Sequence, residues 1–103
     1  MEDDSPQIKA IRARYQSSLK EKAEFVEQYS AELSDVDSEN YQENLAFFRA
    51  ELHKLAGSSG MYGYKDVCDL SRRAMSCIDN DELTELQSIN AQLHKLLKSY
   101  GKG

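Results

Sequence analysis

Apolar residues recur along this chain at steps of three and four, the spacing of one helical face. Ile8, Ile11, Tyr15, Leu19, Ala23, Val26 and Leu33 mark a first stripe. Ser5-Pro6 ahead of it is a start signal, with serine at the cap and proline in the first turn. Ser34 to Glu39 is polar and turn-like, and Ser38 is placed to cap a second helix. That helix carries Tyr41, Leu45, Phe48, Leu52, Leu55 and Ser59, and a glycine-rich stretch ends it, with Gly63 suited to the C′ position. Val67, Leu70, Ala74 and Cys77 or Ile78 form a third stripe. Asp79-Asn80-Asp81 reads as turn and cap, and Leu83, Leu86, Ile89, Leu93, Leu96 and Tyr100 form the fourth stripe. No run alternates like a half-buried strand. The pattern predicts helices over 6–33, 39–61, 64–78 and 81–100. Their short connections make an antiparallel up-down four-helix bundle the expected all-α fold, in one domain spanning 1–103.

Composition narrows the classes of function. The chain has 103 residues, with 13 Lys plus Arg against 18 Asp plus Glu, a net charge of −5. An acidic domain is a poor match for nucleic acid or for an anionic membrane surface. No apolar run approaches the ~20 residues of a membrane span, and the acidic start Met1-Glu2-Asp3-Asp4 is unlike a signal peptide. Cys68 and Cys77 are too few for a disulfide framework and read as reduced thiols of a cytoplasmic protein. They and the two histidines show no ligand spacing on one helical turn, so no metal site is expected. The acidic residues lie mostly on the polar faces of the first and fourth helices, without a paired-carboxylate pattern.

The chemistry concentrates around His53. At about 100° per residue, His53 lies roughly 125° from the centre of the second stripe, and so should face solvent. Its neighbours one turn away are Arg49, Ala50, Ala56 and Gly57, with Ala46 and Gly60 a turn further out. The ring would thus stand on a floor of alanine and glycine with one arginine beside it. Glycine inside a helix costs about 1 kcal/mol relative to alanine, so stability alone does not explain Gly57 and Gly60. Small residues do let another macromolecule come close. An exposed imidazole, ordinarily of pKa about 6.5, is largely neutral at pH 7, and its free nitrogen is a nucleophile. Group transfer onto and off the ring fits that arrangement.

The stretch from Leu52 to Gly63 resembles the histidine-containing phosphotransfer (HPt) domain. The family carries a histidine, a hydrophobic residue two positions on, usually lysine at the third, glycine at the fourth, small residues at the fifth and sixth, and glycine near the tenth. Leu55, Gly57, Ser58, Ser59 and Gly63 match. The resemblance implies that His53 is the phosphoacceptor. It would take a phosphoryl group from an aspartyl phosphate on a receiver domain and pass it to another. It also implies no autokinase activity and no cofactor of the domain's own, the Mg²⁺ belonging to the receiver. The expected partners are response-regulator receiver domains and a histidine or hybrid kinase, met by a monomer. Arg49, Ala50, Lys54, Ala56, Gly57, Ser58 and Gly60 are the expected docking and phosphoryl-supporting residues.

The family's usual lysine is Ala56 here. Lys54 projects about 100° away from His53, which leaves Arg49 as the better-placed cation to steady the phosphorylated ring or the incoming receiver. Charge is also uneven. Residues 1–44 hold five basic and eleven acidic groups, net −6, whereas residues 45–77 hold five and three, net +2. A positive bias would steer an acidic partner. His94 repeats the tetrapeptide Leu-His-Lys-Leu, but Leu97 and Lys98 follow it in place of glycine, so it reads as a boundary histidine. Tyr62 and Tyr64 flank Gly63 as packing or rim residues. A histidine-kinase dimerisation domain fits poorly, since lysine follows His53 where an acid is usual. The remaining alternative is a docking module that uses the same face without phosphorylation.

Overall fold

The computed structural model describes residues 5–102. Four helices run in chain order: α1 (Pro6–Glu32), α2 (Tyr41–Met61), α3 (Lys65–Asp79) and α4 (Leu83–Gly101). Side-chain pairs show that successive helices are antiparallel. Tyr15 bonds Ser58 across α1 and α2 while Phe25 packs on Phe48. Arg49 reaches Asp79 while Gly60 lies against Cys68 across α2 and α3. Ser30 bonds Gln87 while Gln16 bonds the Tyr100 carbonyl across α1 and α4. The bundle is therefore up-down, and it is elongated, 51 × 21 × 20 Å. The tightest pairings are α1 with α4 and α2 with α3. The α1–α2 seam is wider and is bridged by aromatic rings, with Tyr29 stacked on Phe48 at 5.7 Å.

The core follows the stripes. Leu19, Ala23 and Val26 of α1 meet Phe48, Leu52 and Leu55 of α2, Val67 and Ala74 of α3, and Leu86, Ile89 and Leu93 of α4. Leu97, off the fourth stripe, is also fully buried. Ile11 departs from expectation at 44% exposed, because the first turns of α1 run beyond the part of the bundle that would cover them.

Ser5 caps α1, its hydroxyl accepting the Ile8 amide at 3.2 Å, with Pro6 in the first turn. Ser38 does not cap α2. Its hydroxyl takes the Asn40 amide and its carbonyl takes the Tyr41 amide, so it organises the turn and the helix starts two residues later than the pattern predicts. Gly63, at φ +88°, closes α2 in a Schellman motif: the Tyr64 amide bonds the Ser59 carbonyl at 2.8 Å and the Gly63 amide that of Gly60. Asp81 does the same for α3 at φ 59°, with Glu82 bonding Cys77. Residues 79–81 therefore close α3 rather than cap α4, which begins only at Leu83.

Gly101 is the last residue of α4, one past the end that the pattern predicts. A Cβ there would sit 2.8 Å from the Lys20 backbone nitrogen, so the close approach of α4 to α1 demands glycine.

Candidate functional site

His53 is exposed on α2, between buried Leu52 and Leu55, which anchor the helix from its other side. Around it the surface is low. Ala46, Ala50, Gly57 and Gly60 are all exposed. A Cβ added at Gly57 would meet nothing within 4 Å, and one at Gly60 would make only ordinary contact with Cys68 Sγ at 3.5 Å. Neither glycine adopts a positive φ. Nothing inside the molecule requires glycine at 57, in contrast to Gly63 and Gly101. A helical glycine there costs about 1 kcal/mol relative to alanine without any return in internal packing.

The structure redistributes the neighbours expected at His53. Ala56 is buried, at 5% exposed, and is not part of the open floor. It shares a helical row with Gly60, which lies on the α3 side. A small residue packs there, whereas a lysine would need an exit path to reach the ring. Ser58 is half-buried, and its hydroxyl shares a 2.8 Å hydrogen bond with the Tyr15 hydroxyl, so it fastens α1 to α2. Tyr15 also stacks on Tyr62 at 4.3 Å, which makes Tyr62 a packing residue. Burial raises the Tyr15 pKa above its ordinary value, partly offset by the Ser58 bond. Lys54 is exposed and donates to Glu51 Oε2 at 3.2 Å, beside the α1–α2 groove formed with Glu21, Lys22 and Phe25.

Arg49 is half-exposed and already partnered. Its Nε and Nη2 donate to the two carboxylate oxygens of Asp79, each at 2.7 Å, in a fork between α2 and the last residue of α3. This bond raises the Arg49 pKa and holds the Asp79 carboxyl below its ordinary value. Asp79 was not legible as a site residue, since 30 positions separate it from Arg49 and only the register of two packed helices joins them. The same register shapes the local charge. Asp79 and Glu85, which lies 4.0 Å from Arg73, fall outside the segment 45–77, so its positive excess is more nearly neutralised than its own composition suggests. Lys65 and Arg72 are exposed and have no carboxylate partner among the described residues.

Elsewhere, His94 lies in the α1–α4 seam with its Nε2 3.7 Å from Glu27 Oε1. Cys68 and Cys77 are free and buried, and burial pushes the Cys77 thiol pKa up. Among the described residues no three His, Cys, Asp or Glu side chains gather as a metal site, and no helix is long and apolar enough to cross a membrane.

The bundle thus presents His53 on an open face among small exposed residues. The family model of the Hpt domain matches residues 18–101, and the chain belongs to that family. Its role is accordingly histidine phosphotransfer in a phosphorelay, as a phosphocarrier and not a kinase. The match begins past the first turns of α1. Comparisons with curated proteins and with solved structures gave no match.

Proposed function

We propose that His53 is the phosphoacceptor of a monomeric four-helix carrier domain that takes a phosphoryl group from one receiver-domain aspartyl phosphate and delivers it to another. The observation that carries this reading is the empty space over Gly57, one turn from an exposed imidazole. In the forward step the unprotonated ring nitrogen bonds to phosphorus. The bond from phosphorus to the aspartyl oxygen breaks, its electron pair returns to the carboxylate, and the other ring nitrogen keeps its proton. Delivery is the reverse, onto a second receiver's carboxylate. The receiver supplies the carboxylate and Mg²⁺, and this chain supplies the nucleophile and a face low enough for close approach.

Ala50, Gly57 and Gly60 form the docking floor, and Arg49 stands one turn before His53 on the same helix. A histidine or hybrid kinase stands upstream of the donor receiver. A cytoplasmic setting, where receiver domains and reduced thiols are found, agrees with two free cysteines.

The test is incubation with a phosphorylated receiver domain. Acid-labile, alkali-stable label should appear on the wild type and be absent from His53→Gln. Receiver binding without label on the wild type would instead establish a docking-only module.

A further inference from the structure

Phosphoryl carriage at His53, if it occurs as set out above, places a group bearing about −1.5 to −2 charge one helical turn from Arg49. Residues four apart on a helix have Cβ atoms about 5–6 Å from each other. The guanidinium thus lies within side-chain reach of a phosphoryl group on the ring. The other positions on α2 are less well placed. The family's lysine position is the buried Ala56, and Lys54 is bonded to Glu51 on the groove side. Yet the Arg49 fork is filled by Asp79, with both oxygens at 2.7 Å.

We propose that Asp79 is a positioning residue for phosphoryl carriage: it holds Arg49 in the unloaded protein and yields it to the phosphoryl group when His53 is loaded. The inference rests on the reading of His53 as acceptor.

Asp79 is a holder suited to release. The pair is solvent-exposed on both sides, at 42% and 50%, so water and salt screen it. The carboxylate also sits at the C-terminal end of α3, where the helix dipole disfavours negative charge. The phosphoryl group brings more charge and three acceptor oxygens to the same five-donor fork. The exchange makes and breaks only hydrogen bonds. Its cost, the released Asp79 bond, is charged against the loaded state. Asp79 therefore weakens retention of the phosphoryl group and keeps the carrier ready to pass it on.

The test compares wild type, Asp79→Asn, Arg49→Gln and the double variant. Each is loaded both by phosphoramidate, a small phosphodonor, and by a phosphorylated receiver. The readouts are phosphohistidine half-life and the equilibrium between loaded carrier and loaded receiver. Asp79→Asn should shift the equilibrium toward the loaded carrier by about threefold or more, as coupling between contacting residues allows. Arg49→Gln should shift it the other way, and Arg49→Lys, which keeps the charge but loses the fork, should fall between. In the Arg49→Gln background the effect of Asp79→Asn should shrink below about twofold. An equal shift in both backgrounds would mean that Asp79 acts through its own charge, and the proposal fails. An unchanged equilibrium in Asp79→Asn also overturns it, and Asp79→Ser repeats the test with a different side chain. Wild-type protein that takes no label from either donor defeats the His53 reading and this inference together. Labelled wild type with an unshifted Asp79→Asn defeats this inference alone.

Discussion

Leu-His-Lys-Leu occurs twice, at 52–55 in α2 and at 93–96 in α4, and the two copies lead to different surroundings. In both, the leading leucine is buried, Leu52 at 1% and Leu93 at 0% exposed. One turn before the histidine stands half-exposed Arg49 in the first copy and Asn90, 1% exposed, in the second. One turn after it stands Gly57, with open space above, or Lys98, an exposed long side chain. His53 looks outward over a cleared surface, while His94 lies in the seam against α1 near Glu27. The two histidines differ in what their helices present a turn to either side, not in their immediate neighbours.

That comparison can be broken most sharply by exchange. His53→Gln should lose all acid-labile label from a phosphorylated receiver, while His94→Gln keeps it. Gly57→Lys, which gives His53 the neighbour that His94 has, should slow transfer by about tenfold or more, the loss that ~1.4 kcal/mol of docking brings. Gly57→Ala should stabilise the fold by about 0.5–1 kcal/mol in denaturant titration while slowing transfer more mildly. Stability gained with transfer lost would separate the needs of the partner from those of the fold.

The fold itself gives smaller effects. Gly101→Ala forces a methyl group against the Lys20 backbone and should cost about 1–3 kcal/mol, read from the denaturation midpoint. Asp81→Gly relieves a left-handed residue at φ 59° and should gain about 1 kcal/mol. The smallest effect concerns the Arg49–Asp79 pair. The Asp79 carboxyl lies below its ordinary 3.8 because Arg49 bonds its charged form. Its contribution is thus fully present above that value and is lost as pH falls through the depressed one. Asp79→Asn should lower the denaturation midpoint slightly at neutral pH and not at all well below pH 3.8.

Much of this molecule is legible in the sequence, since helical spacing carries both the stripes and the exposure of His53. Leu52, Leu55 and Ser59 at threes and fours fix which side of α2 is buried, and His53 follows from them. Boundaries that depend on backbone bonds are less so. Ser38 could cap or turn, and only the amides it accepts decide between them. Asp79-Asn80-Asp81 could open a helix or close one, and the αL conformation of Asp81 decides for closing. The partners of Arg49 and Ser58 are set by how helices align side by side, which no single-helix periodicity contains. Ala56 shows the same limit. Its wheel position beside His53 is right, but the burial that comes from packing changes what it can do.

The most direct measurement places the phosphorus atom itself. Protein labelled with nitrogen-15 and loaded from a phosphorylated receiver can be read by nitrogen–phosphorus coupling in the imidazole rings. One coupled ring, assigned to His53, is the predicted result. Coupling at His94, or phosphorylated protein with no coupled histidine, would contradict the account.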